Sequence, residues 1–187
     1  RASMSTARRR RWRSDANVML LIGSGEVETA QVDDFLRVCE QLEEAELGIG
    51  EASGIDLGVG LWQAGFHDDF LRQAKAVRKR LSGVQHLVVL SAEALHVLRN
   101  VYPAHGIKLV PNAVHSTEFL LPFVYGAILD RLPGRVAFYE PCHSLRNPRA
   151  VPVGQELLAR VLEETPLDLR ADSSDLGCCG GSGCLKE

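Results

Sequence analysis

The stretch "NVMLLIG", Asn17 to Gly23, decides how the fold is read. Five consecutive apolar residues closed by a glycine are too few to span a bilayer and too uniform for a strand with one wet face. Such a run suits a parallel strand covered on both sides. A helical pattern follows, from about Thr29 to Glu46, with Val32, Phe35, Leu36, Cys39 and Leu42 on one face. Cys39 lies inside that apolar stripe and reads as a small core residue.

Working outward, strand and helix keep alternating. "ELGIG" (Glu46–Gly50) is a weak second strand, and "EASGIDLGVGLWQAG" (Glu51–Gly65) reads as a glycine-rich loop. A helix then carries Phe66, Phe70, Leu71, Ala74, Val77 and Leu81. "QHLVVLS" (Gln85–Ser91) is the next strand, followed by a helix through about Val101. "IKLVP" (Ile107–Pro111) reads as a fourth strand, before a helix with Phe119, Leu120, Phe123, Val124, Ile128 and Leu129. "LPG" (Leu132–Gly134) breaks the pattern and "RVAFYEP" (Arg135–Pro141) restarts it. A helix with Val153, Leu157, Leu158, Val161 and Leu162 and a strand "LDLRA" (Leu167–Ala171) complete the second round. This alternation predicts an α/β fold with mainly parallel sheets.

The two rounds echo each other. "VMLLIGSGE" and "RVAFYEPCH" each pair an apolar strand with a turn, so Ser24 stands where Cys142 stands. Asp56-Leu57-Gly58 stands where Cys178-Cys179-Gly180 stands, with 31 residues between Ser24 and Asp56 and 35 between Cys142 and Cys178. The reading is therefore a basic, disordered leader at 1–16, a first unit at 17–133 and a second, incomplete unit at 134–187. Residues 1–13 hold six arginines and no acid, while the chain as a whole is −3, so the remainder carries −9. Such a leader is a solvated element apart from the folded part, and no nucleic-acid partner is expected from it. "VMLLIG" is too short for the apolar region of a secretory signal.

Five cysteines, an odd number without a signal peptide, argue for a reducing compartment. In a parallel sheet the loops after the strands converge at one edge. Cys142 follows one strand, and Cys178 and Cys179 follow the next, so three thiols are expected to meet there, joined more weakly by Cys184. Glycines after the pair, Gly180 first, would let backbone N–H groups approach an inorganic ligand. Clustered thiolates bind soft metals and iron–sulfur clusters. Adjacent cysteines suit zinc poorly, because two neighbouring side chains reach one tetrahedral ion only with strain. His143 and Arg146 lie close in sequence; each could serve near a cluster, or simply cap a turn and face solvent. The other five histidines show no metal spacing.

"YEPCHSLRN" followed by "GCCGGSG" resembles the cysteine-rich CCG domain, a family that includes the B subunit of heterodisulfide reductase and the iron–sulfur subunit of glycolate oxidase. The resemblance runs from about Val18 onward. It implies two tandem units, each with a lone Cys, a Cys-Cys-Gly turn and a later CxxC. It also implies a [4Fe-4S] cluster, noncubane in the best-understood members, held by Cys142, Cys178 and Cys179. In the first unit Ser24, Asp56-Leu57-Gly58 and "SAEA" (Ser91–Ala94) replace the ligands, so that unit is expected to hold no cluster. In the second, the CxxC would fall beyond Glu187, so the chain is expected to be a fragment that binds cluster incompletely. The implied function is an iron–sulfur electron-transfer subunit of an oxidoreductase, with the organic chemistry on a flavoprotein or other partner subunit. The implied location is cytoplasmic, allowing peripheral association with the inner face of a membrane. Two alternatives stand beside it: a cluster-free scaffold that keeps the fold for assembly, and a zinc or thiol-redox protein using Cys178 and Cys179.

Overall fold

The computed structural model describes residues 18–23, 29–42, 53–109, 112–126, 130–139 and 153–169. The chain divides into two compact units, Arg1–Ile128 and Leu129–Glu187. Among the described residues no helix is long and apolar enough to cross a membrane.

In the first unit the apolar run forms β1 (Val18–Gly23). It is followed by α1 (Thr29–Gln41), β2 (Ser53–Ile55), α2 (Val59–Gln63), α3 (His67–Arg80) and β3 (His86–Val89). A helix starting at α4 (Ala92–His96) runs through a π turn (Val97–Val101) into α5 (Tyr102–Ala104). β4 (Asn112–His115) and α6 (Ser116–Gly126) follow. The four strands make one sheet in the order β2-β1-β3-β4, every pair parallel. The chain steps one way from β1 to β2 and the other way from β3 to β4. It reverses between β1 and β3, and their carboxyl ends flank the crevice that such a reversal leaves.

β1 is covered on both faces, as its uniform composition predicts. Leu20 packs with Val32, Phe35, Leu36 and Cys39 of α1 and with Leu120 of α6. Met19 and Leu21, pointing the other way, pack with Phe70, Ala74 and Val77 of α3 and with Tyr102. β3 divides in the same manner, Val88 to the first layer and Leu87 and Val89 to the second. Cys39 is fully buried, as expected of a residue in the apolar stripe.

Two expectations are corrected. The stretch Glu51–Gly65 is not a plain loop: it contains β2 and α2. Its glycines weaken the local signal, and burial of Ile55, Leu57 and Val59 against the core overrides it. The fourth strand is not Ile107–Pro111 but β4, a few residues later. Ile107 is instead held to the end of the preceding helix, its N–H donating to the Tyr102 carbonyl at 2.9 Å. Register with β3 pairs His86 with Asn112 and Val89 with His115. The expected strand Glu46–Gly50, together with Ile128 and Leu129, lies outside the described residues.

In the second unit β5 (Ala137–Phe138) pairs in parallel with β6 (Leu167–Asp168), with α7 (Val153–Val161) as the crossover between them. The register sets Ala137 against Leu167 and Phe138 against Asp168. A parallel bridge between Leu132 and Leu162 precedes it. The crossover sits close on the strand because position 154 is glycine: a Cβ there would lie 2.7 Å from Phe138 Cζ. Gly154→Ala is expected to destabilise this unit by about 1–3 kcal/mol in chemical denaturation, through overpacking. Adding Phe138→Leu should recover part of that loss, whereas an unshifted midpoint in Gly154→Ala alone would contradict this packing.

Candidate functional site

The thiols singled out from the sequence, Cys142, Cys178, Cys179 and Cys184, lie outside the described residues, as do Gly180, His143, Arg146 and Ser24. What is described is the frame they hang from. Cys142 comes four residues after Phe138, the end of β5, and Cys178 comes ten residues after Asp168, the end of β6. Because β5 and β6 are parallel neighbours, their carboxyl ends lie at the same edge of the sheet.

The first unit shows what its matching positions do. β2 ends at Ile55, and Asp56-Leu57-Gly58 forms the turn at its carboxyl end. Asp56 Oδ1 accepts the Gly58 N–H at 2.8 Å, and the Asp56 carbonyl accepts Gln73 Nε2 at 2.7 Å. Gly58 has a φ of 74°, the left-handed region that favours glycine. A Cβ there would press to 3.3 Å on both Phe70 and Gln73. Leu57 turns into the core, and its carbonyl accepts the Tyr102 hydroxyl at 2.9 Å. Burial, with the Asp56 charge second, pushes the Tyr102 phenol far above its ordinary range. It therefore stays protonated and keeps donating.

Ser91 caps α4, its Oγ accepting the Ala94 N–H at 3.2 Å. Glu93 is bonded to Gln63, and the Trp62 and His96 rings lie 6.2 Å apart. The described positions that the resemblance sets against ligand cysteines are thus one carboxylate used in a turn, one buried leucine, one capping hydroxyl and one buried alanine. They supply no thiolate, and such a donor set does not fit an iron–sulfur cluster. Among the described residues no group of three or more His, Cys, Asp or Glu comes together as a metal site.

Sequence reading passed over the polar support of this edge, because its members are far apart along the chain. His115 ends β4 and stands just before α6. Its Nδ1 accepts the Thr117 N–H at 3.4 Å and lies 2.9 Å from Thr117 Oγ1, while Nε2 faces the Leu90 carbonyl at 3.2 Å. These contacts select the neutral ring with the proton on Nε2, which caps the helix start. Burial holds the imidazole below its ordinary value. The Leu90 carbonyl and the Glu118 carboxylate pull the other way, and the Arg99 guanidinium adds to the fall. Arg99 itself grips Glu118 at 2.7 and 3.0 Å and donates Nε–H to the Ala113 carbonyl at 2.7 Å.

Two outcomes follow for stability. Tyr102→Phe leaves the buried Leu57 carbonyl without its donor and should cost about 1–3 kcal/mol in urea unfolding. For His115 the folded-state value lies below the unfolded one, about 6.5. Its contribution is therefore full above that pH and is lost as pH falls through the folded-state value. His115→Asn keeps a capping acceptor but cannot titrate, so its unfolding free energy should decline less than the wild type's between about pH 7 and 5. Equal slopes for the two proteins would contradict the neutral cap.

Over 111 residues, 58% of this chain, the sequence is 28% identical to the B subunit of the fumarate reductase (CoM/CoB) of Methanothermobacter marburgensis. The match covers 21% of that protein, so the chain spans about a fifth of the curated relative's length. No protein-family model and no solved structure matches the chain.

Proposed function

We propose that this chain is an electron-transfer component of an oxidoreductase, with an iron–sulfur cluster bound through its second unit. The single observation that carries this reading is the similarity to a protein named as a subunit of a fumarate reductase. The thiol pattern supports it: Cys142 and the Cys178–Cys179 pair follow two strands that are parallel neighbours. In donor chemistry these three residues fit a cluster, since thiolates are its ordinary ligands and a glycine after the pair, Gly180, has no side chain to keep backbone N–H groups from sulfide. When bound, such a group accepts and passes single electrons at a potential set by charge, hydrogen bonding and exposure. The cysteines of this chain would hold it, and Arg146 and His143 would set the charge around it. The first unit contributes fold and packing. The substrate chemistry belongs to a flavoprotein or another partner subunit of the complex.

A cluster-free scaffold has one observation in its favour: the first unit already uses its matching positions for a turn, a core contact and a helix cap. The two readings separate in one experiment on the protein purified without oxygen and reconstituted with iron and sulfide. The cluster reading expects broad visible absorption and acid-labile sulfide in proportion to iron. Cys142→Ser, Cys178→Ser and Cys179→Ser should each remove most of both, while Asp56→Asn and Ser91→Ala leave them unchanged. A colourless protein without iron moves the assignment to the scaffold, and a colourless protein with stoichiometric zinc moves it to thiol or zinc chemistry.

A further inference from the structure

Charge is segregated along this chain. From Phe70 to Thr117 the only acid is Glu93, against seven lysines and arginines. That is unusual in a chain whose residues 14–187 carry a net −9. Five of the seven cations, Arg72, Lys75, Arg78, Lys79 and Arg80, sit on α3, all of them exposed. The opposite side of the same helix is apolar: Phe70, Ala74 and Val77 are buried against the sheet. Lys75, Arg78 and Lys79 are three and four residues apart and therefore share one face. None of the three makes an ion pair among the described residues, whereas Arg72 is bonded to Asp69. The helix dipole accounts for cations in the last turn but not for Lys75 a turn earlier. α1, packed on the other face of the sheet, carries Asp33, Asp34 and Glu40 with one arginine, Arg37. The two layers thus bear opposite charge.

We propose that the Lys75–Arg78–Lys79 face of α3 is a docking surface for an acidic protein surface, that of the subunit or carrier that exchanges electrons with this chain. This rests on the oxidoreductase reading above. Proteins that must meet, transfer an electron and part use small interfaces with complementary charge, which raises the encounter rate without tight binding. A bare cationic face on a rigid, well-packed helix suits that task. Membrane binding needs aromatic or aliphatic side chains among the cations, and the exposed positions of α3 from Arg72 to Arg80 hold none besides Ala76. Binding of single-stranded nucleic acid needs aromatic platforms, which this face lacks as well.

The test uses the full chain with the leader arginines Arg8–Arg11 and Arg13 changed to serine, so that they do not add to binding. Poly-L-glutamate is titrated at low salt. It should bind, with affinity falling steeply as salt rises. K75E/R78E/K79E should bind at least about tenfold more weakly with unchanged helix content, and K75Q/R78Q/K79Q should fall between. Cys178→Ser should bind as the wild type does, so the docking face stands or falls separately from the cluster. Unchanged binding by the charge-reversed variant overturns the proposal. So does tighter binding to phosphatidylserine vesicles or to a single-stranded oligonucleotide than to polyglutamate.

Discussion

Burial of the β1–β3 pair on both faces is the constraint from which the rest of the first unit follows. Leu20, Leu87 and Val88 are fully buried, and Met19, Leu21 and Val89 nearly so. Each such side chain contributes about 1.5–3 kcal/mol relative to exposure. A strand with two apolar faces needs a helical layer on each. That need fixes where α1 and α6 lie, and where α3 and the broken α4–α5 helix lie. It also places the carboxyl ends of all four strands along one edge, so the turns that follow them become neighbours though they are distant in the chain.

The two units differ at the positions that the sequence repeat sets against each other. In the first, every described position is engaged within the fold. Asp56 closes a turn on Gly58, Leu57 joins the core beneath Tyr102, and Ser91 caps a helix. These interactions tie the turn, the core and the helix start together, and they hold this edge in shape. In the second unit the sequence carries thiols after both described strands, and the described residues form two short parallel strands and one helix. A unit so small has little apolar area to bury.

The charge pattern adds a second level of organisation. One sheet separates α1, with Asp33, Asp34 and Glu40 against Arg37, from α3, with five cations against Asp68 and Asp69. A net −3 for the whole chain conceals this division. The half-buried polar groups do other work. His115, Arg99 and Glu118 face one another across β4 and the helices beside it, and their role is to hold the edge in shape.

How much was legible in advance depended on whether the signal was local. "VMLLI" showed a buried parallel strand, and the stripe Val32, Phe35, Leu36, Cys39 showed its covering helix, because uniform and 3.6-period apolar patterns are written in neighbouring residues. The alternation of strand and helix was enough for the α/β class. β2 was hidden: three residues with Gly54 in the middle carry no periodicity, and only pairing with Ile22 and Gly23 makes them a strand. β4 was displaced from "IKLVP" for a similar reason, its register being set by β3 and not by its own apolar residues. The cysteine spacing was plain in the sequence; the parallel pairing of β5 and β6 behind it was not certain until the strands were placed. Tyr102 holding Leu57 and His115 facing Leu90 could be known only from the tertiary structure. Each such bond joins residues at least 25 positions apart, and nothing in a linear sequence marks which distant carbonyl a buried ring will meet.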